Sequence, residues 1–171
     1  MLYVVTGPES SGKTTLATEL SVHFSMPLVA EQARAYLSEK PGYLPSDLLH
    51  LAQLQMTAEQ LHAEECTKPQ SLVFADTDLQ VLYIWWRELF ATVPRSLVDA
   101  YHQQSQRCYL LCEPDLIWEA DPLRENRYDR DRLYELYRTD LDRRNLPYSV
   151  IRGTGEERLN AALLAIANDT R

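Results

Sequence analysis

The chain has 171 residues, of which 45% are hydrophobic and 25% charged, with a formal net charge of −8. A chain of this length closes a core without disulfide staples, and we expect one domain over residues 1–171. The chain is acidic and lacks the basic stripe with which nucleic-acid binders neutralise phosphates, which disfavours nucleic acid as a partner. No apolar run is long enough to span a bilayer, which disfavours a membrane as a partner.

Cysteine usage and the N-terminus point to a reducing compartment. Cys66, Cys108 and Cys112 are odd in number and lack the C-x-x-C spacing of a zinc site. The first basic residue, Lys13, follows the first apolar run instead of preceding it as in a signal peptide. We therefore expect free thiols and a cytoplasmic protein, whose oligomeric state the sequence leaves open.

Short apolar runs alternate with segments of helical spacing along the whole chain. Continuous apolar strands separated by helices indicate a parallel sheet covered on both faces, here with about five strands. The predicted strands are Leu2–Val5, Leu28–Ala30, Leu72–Ala75, Cys108–Cys112 and Tyr148–Ile151. The predicted helices are Thr15–Phe24, one carrying Leu51 to Leu61, Leu79–Phe90, Asp129–Arg144, and a last one after Gly155.

A phosphate-binding pattern follows the first strand. Gly7 is separated by four residues from Gly12, Lys13 and Thr14, and a predicted helix leaves the loop, which is the context of a P-loop. Its backbone N–H groups and the helix N-terminus attract phosphate, the lysine neutralises the β- and γ-phosphates, and the threonine hydroxyl ligates Mg²⁺. We expect ATP contacts from Gly7, Glu9, Ser10, Ser11, Gly12, Lys13, Thr14 and Thr15.

Charged residues follow the other strands, at the sheet edge where open α/β sheets bind ligands. Asp76 is suited to holding Mg²⁺. Glu31 is either a base for an attacking hydroxyl or a solvated helix-opening acid. Asp78 is either a substrate or catalytic acid or the N-cap of the next helix. Gly153 and Thr154 follow the last strand.

The segment from Glu113 to Arg132 is rich in both charge signs. It is either a solvated loop leading into a helix or a lid whose arginines neutralise a transferring phosphoryl group. Arg124 and Arg127 precede the helical periodicity and are the favoured lid residues. Arg130 and Arg132 are interpreted as helix-surface residues in ordinary ion pairs.

Three aromatic residues, Tyr83, Trp85 and Trp86, cannot all face one side of a helix. Core packing is the favoured role, and stacking on a ring-bearing substrate is the alternative for one of them.

Several stretches together resemble the ribosylnicotinamide (nicotinamide riboside) kinase family. They are GPESSGKTTL at the P-loop, EQAR at 31–34, FADTDL at 74–79, DLIWEADPLREN at 115–126 and YSVIRGTGEERL at 148–159. The resemblance implies a nucleoside-kinase-like P-loop fold with an arginine-containing lid. It also implies transfer of the ATP γ-phosphate to a ribose 5′-hydroxyl in NAD synthesis, with Mg²⁺.

By position, the resemblance assigns Lys13 to catalysis and Thr14 and Asp76 to the metal. Its nucleoside site comprises Glu31, Arg34, Gln55 and Asp78, its lid Arg124 and Arg127, and its adenine contacts Gly153 and Thr154. The family carries an aromatic residue near the acid that corresponds to Glu31, whereas this chain has Ala30 and Gln32 at the flanks.

Two other classes share the phosphate loop. An ATP-binding regulatory or sensor module would bind ATP without substrate-stimulated turnover. A GTPase switch is disfavoured because the chain has no Asn-Lys-x-Asp motif for reading guanine.

Overall fold

The strands form one all-parallel sheet in the order β2-β3-β1-β4-β5. A computed structural model describes residues 1–38, 40, 42–65, 72–121 and 126–169. The sequence prediction of a five-stranded parallel sheet is confirmed within these residues. The strands are β1 (Leu2–Thr6), β2 (Leu28–Val29), β3 (Val73–Asp76), β4 (Arg107–Cys112) and β5 (Tyr148–Ile151).

Seven helices in the described residues connect and follow the strands. The sequence prediction gave no bounds for two of them, α2 and α5, because a short helix leaves little room for the helical period to repeat. The helices are α1 (Lys13–Phe24), α2 (Gln32–Leu37), α3 (Pro45–Glu65), α4 (Leu79–Leu89), α5 (Arg95–Gln103), α6 (Arg130–Arg143) and α7 (Glu156–Asp169).

Both faces of the sheet are buried, which explains why its strands are continuously apolar. Along β1, Tyr3 and Val5 pack in the cluster that contains α1 and α7, whereas Val4 packs in the cluster that contains α4 and α6. Successive side chains of a strand point to opposite faces, so a strand covered on both faces carries apolar residues at most of its positions.

No helix among the described residues is both long and apolar enough to cross a membrane. Cys108 and Cys112 are free and buried, and Cys66 lies outside the described residues.

Candidate functional site

The loop between β1 and α1 has a backbone that only glycine fits at two points. Gly7 has φ of 132°, and a Cβ there would lie 2.6 Å from the carbonyl oxygen of Cys112. Gly12 has φ of 75°, and its Cβ would meet Leu116 at 2.8 Å. Gly7 therefore requires glycine for conformation and for space, and Gly12 requires it for conformation, as the phosphate-binding pattern predicts.

Lys13 begins α1 and reaches back over the loop. Its Nζ donates to the carbonyl of Pro8 at 2.7 Å, and the Ser11 hydroxyl donates to the same oxygen at 2.7 Å. The lysine is thereby held at the mouth of the loop, where a phosphate would meet it.

A cavity of about 480 Å³ lies over the phosphate loop, and we call it the donor cavity. Thr154, from the loop after β5, and Arg34, from α2, also line it. Arg34 was expected in the nucleoside site, but it borders the donor cavity and pairs with Asp121 at 2.7 Å. The loop residues that line the donor cavity are Glu9, Ser10, Ser11, Gly12, Lys13, Thr14 and Thr15.

A second cavity, of about 210 Å³, adjoins the loop on the α4 and α6 side, and we call it the acceptor cavity. Trp85 and Tyr137 give it aromatic walls, and Glu88 adds a carboxylate. Its other residues include Val81, Ile84, Leu89, Asn126 and Leu133. No sequence signal singled out Tyr137 or Glu88 as cavity residues.

Three charged residues, Glu9, Lys13 and Glu31, line both cavities. The cavities therefore meet at the lysine of the phosphate loop and at the acid that follows β2. Burial raises the pKa of Glu31, and the nearby Lys13 ammonium opposes that rise.

The three aromatic residues of α4 have separate roles. Trp86 is buried in the core, and the ring of Tyr83 lies 5.1 Å from that of Tyr101. Trp85 instead faces the acceptor cavity, with its indole N–H donating to the Tyr43 hydroxyl at 3.1 Å. Core packing is correct for Trp86, whereas Trp85 is the wall of a cavity.

Asp76 ends β3 next to the phosphate loop and is 2% exposed. Burial raises its pKa, and a hydrogen bond from the Thr14 side chain lowers it. Its Oδ1 has no hydrogen-bond partner among the described residues. A buried carboxylate oxygen left open beside a hydroxyl fits Mg²⁺, which prefers hard oxygen ligands.

Asp78 is the N-cap of α4, accepting from the Gln80 N–H at 2.9 Å. Its other oxygen accepts from the Arg107 guanidinium and the Tyr109 hydroxyl, each at 2.8 Å. Asp78 is not among the described residues that line either cavity. The structure therefore favours the N-cap interpretation over the substrate-binding one.

The Gln55 side chain also lies away from the two cavities. Its side chain is buried in α3 and donates to the carbonyl of Thr77 at 3.2 Å. Thr77 has a positive φ of 70°, which is costly for a β-branched residue. Gln55 thus supports the turn between β3 and α4 without lining either cavity among the described residues.

Glu59 completes a buried ionic cluster behind the site, because Arg107 contacts both Glu59 at 3.2 Å and Asp78. Burial raises the pKa of Glu59 to about 7, and the Asp78 charge adds to that rise, while Arg107 opposes it. A raised pKa in the folded state means a stability contribution that is complete below the unfolded pKa and is lost as the pH rises through about 7.

We therefore expect Glu59→Gln to stabilise the protein relative to the native chain as pH rises. The difference in unfolding free energy should grow by up to about 3 kcal/mol between about pH 4.5 and pH 8, from the pKa difference between folded and unfolded states. Urea unfolding across this range measures it, with Glu64→Gln, exposed on the same helix, as the control. Parallel pH curves for native protein and Glu59→Gln would contradict this expectation.

The segment after β4 contacts the phosphate loop through residues other than those expected. Arg130 donates to the carbonyls of Ser10 at 3.1 Å and Leu116 at 2.9 Å, although a surface ion pair was predicted for it. Arg132 does form surface ion pairs, with Glu88 and Asp129. Arg127 is exposed and lies over the Trp118 ring at 5.3 Å. Arg124 lies outside the described residues.

Glu9 joins the phosphate loop to the segment after β4. Its Oε1 accepts from the Trp118 indole at 2.9 Å and from the Asn126 N–H at 2.8 Å. The segment is therefore anchored to the loop at two points, one before residue 121 and one after residue 125.

The family model described as AAA domain matches residues 2–158. No curated protein sequence matches the chain significantly.

Among solved structures, two of NadR match 98% of this chain with TM-scores of 0.77. One is in complex with NR (19% identity) and one with NAD and AMP-PNP (20% identity). The chain spans 50% and 48% of those two NadR chains, about half their length. Thymidylate kinase from Ehrlichia chaffeensis matches with a TM-score of 0.69 and 15% identity, over 100% of this chain and 98% of its own. These likenesses establish a P-loop fold of the nucleoside- and nucleotide-kinase kind.

Proposed function

The chain belongs to the AAA domain family, and from this premise we propose that it is an ATP-dependent kinase of a small nucleoside. The reaction transfers the γ-phosphoryl group of ATP to a ribose 5′-hydroxyl. Nicotinamide riboside is the first candidate acceptor.

One observation carries the proposal: the donor and acceptor cavities meet at Lys13 and Glu31. Phosphoryl transfer consists mainly of positioning and charge neutralisation, with the attacking and leaving oxygens roughly in line. A triphosphate over the phosphate loop and a hydroxyl in the acceptor cavity would approach each other at this junction.

Each residue at the junction has a proposed task. Lys13 neutralises the transferring phosphoryl group, and Glu31 accepts the proton of the attacking hydroxyl. Thr14 and Asp76 would hold Mg²⁺, which neutralises charge on the β- and γ-phosphate oxygens. Asp78 is a less suitable base because Arg107, Tyr109 and a backbone N–H already occupy its carboxylate.

The segment after β4 and the loop after β5 have proposed tasks as well. Arg127 belongs to the segment that contacts the phosphate loop, and with Arg124 it is proposed to approach the phosphoryl group when nucleotide is bound. Gly153 and Thr154 are proposed to approach the adenine, and the position of Thr154 on the donor cavity supports this.

The lining of the acceptor cavity supports a positively charged aromatic ring in the substrate. Trp85 and Tyr137 offer aromatic side chains, and the two carboxylates of Glu9 and Glu31 outnumber the Lys13 ammonium among the described lining residues, whereas Glu88 is paired with Arg132. Aromatic faces and carboxylates together attract cationic rings such as pyridinium. The likeness of the fold to NadR in complex with NR agrees with this choice.

A coupled ADP-release assay across a nucleoside panel tests the proposal. We expect nicotinamide riboside to raise ADP release by about tenfold or more over the acceptor-free rate, and neutral nucleosides to raise it less. Lys13→Met serves as the control for contaminating ATPases, because it should abolish the stimulated rate. ATP binding without stimulation by any nucleoside would contradict the proposal and favour a sensor module, and a preference for GTP would favour a switch.

A further inference from the structure

Arg158 lies in the first turns of α7 and is 4% exposed, although it is an arginine. Its Nε donates to the carbonyl of Gly153 at 2.8 Å, and its Nη1 to the carbonyl of Ser11 at 2.9 Å. Its Nη2 pairs with the Asp115 carboxylate. One guanidinium therefore contacts the phosphate loop, the segment after β4 and the loop after β5.

Asp115 closes the same arrangement from the other side. Its second oxygen, Oδ2, accepts from the Gly153 N–H at 2.8 Å. Gly153 is thus held at its N–H by Asp115 and at its carbonyl by Arg158. The loop is tightly bent here, since Gly153 has φ of 88° and a Cβ at this position would lie 3.0 Å from the Cβ of Glu157.

The contacts occur beside the donor cavity, where Asp115, Ser11 and Thr154 are all lining residues. The guanidinium engages the Ser11 carbonyl, so that carbonyl oxygen is directed at Arg158. The planar fork of arginine suits a site with several acceptors at fixed angles, which the single ammonium of lysine cannot satisfy together.

We propose that Arg158 and Asp115 form a positioning pair that fixes the loop at Gly153 and Thr154 relative to the phosphate loop, and so sets the affinity for the nucleoside end of the nucleotide. This inference rests on the proposed function in one respect, that ATP is the donor. The pair touches no reacting atom; it acts through the two loops that would hold the ends of the nucleotide.

A positioning role and a purely structural role of the pair predict different effects on ligand binding. A nucleotide bound in the donor cavity would contact both loops, whereas inorganic triphosphate would contact only the phosphate loop. Loosening the loop after β5 should therefore weaken nucleotide binding more than triphosphate binding.

Isothermal titration of the whole chain with AMP-PNP and with inorganic triphosphate tests this, using Arg158→Lys and Asp115→Asn. We expect each variant to weaken AMP-PNP binding about tenfold and triphosphate binding less than about threefold. The double variant should lose little more than either single one, because the two residues act as a unit. In turnover, KM for ATP should rise, while KM for the nucleoside changes less than about twofold.

Arg152→Lys is the matched control, because Arg152 is exposed and pairs with Glu113 near the same loop. It should leave both affinities unchanged. Equal weakening of AMP-PNP and triphosphate would overturn the inference, as would unchanged affinities with a lower melting temperature. If the native chain binds AMP-PNP but no nucleoside is phosphorylated, the proposed function fails while the inference stands or falls on the titrations. If the native chain binds no AMP-PNP, both fail.

Discussion

Replacing Glu31 by Gln should lower kcat for nucleoside phosphorylation by about 10²- to 10⁴-fold, the range typical for loss of a general base. The amide keeps the size of the side chain but cannot accept the proton of the attacking hydroxyl. Because the phosphate loop is unchanged, the Kd for AMP-PNP should change less than about threefold. Steady-state kinetics and calorimetry measure the two quantities separately.

Glu135→Gln is the matched control for Glu31→Gln. Glu135 is exposed on α6 and pairs with Arg138 at 2.6 Å, so the same chemical change there should leave kcat unchanged. If Glu31→Gln retained kcat within about threefold, Glu31 would not be the base. Equal losses of turnover and of AMP-PNP affinity would instead assign Glu31 a structural role.

Replacing Arg107 by Met should destabilise the protein by about 3–5 kcal/mol, the usual cost of removing one partner of a buried ion pair. The Arg107 side chain is 7% exposed and contacts Asp78 at 2.8 Å and Glu59 at 3.2 Å. Without it, two carboxylates would share a buried site with no cation. Urea unfolding at about pH 7.5 measures the change.

Arg95→Met is the matched control for Arg107→Met, since the Arg95 side chain is 92% exposed and its pair with Asp99 is a surface one. It should change the unfolding free energy by less than about 0.5 kcal/mol. Adding Glu59→Gln to Arg107→Met should recover part of the loss, because one uncompensated charge is removed. A loss below about 1 kcal/mol for Arg107→Met would contradict the account of this cluster.

The parts of the site that a local pattern determines could be predicted from the sequence. Gly7, Gly12 and Lys13 are fixed by their spacing and by the strand and helix that flank them. Asp76 and Glu31 could be found because parallel strands deliver their carboxyl ends to one edge of the sheet. These predictions needed only the positions of the strands along the chain, which the apolar runs indicate.

The roles that depend on distant partners could not be predicted. Asp78 looks like Asp76 in the sequence, but Arg107 and Tyr109 reach it from 29 and 31 residues away and occupy its carboxylate. Arg130 and Arg158 reach carbonyls of the phosphate loop across separations of 120 and 147 residues. Backbone carbonyls carry no sequence signal, so nothing in the chain distinguished these arginines from surface ones.

The direction in which helix side chains point was the other feature that the sequence could not determine. The segment from Leu79 is apolar nearly all round, so periodicity could not separate Trp85, which faces the acceptor cavity, from Trp86, which packs in the core. Only the packing of α4 against its neighbours decides which ring is left open to a ligand.

If the two cavities form one phosphoryl-transfer site, ³¹P NMR of a reaction containing ATP and nicotinamide riboside should show it. We expect one 5′-phosphomonoester formed for each ADP released, with no phosphoester in the Lys13→Met reaction. Release of ADP together with inorganic phosphate, and no phosphomonoester signal, would contradict it.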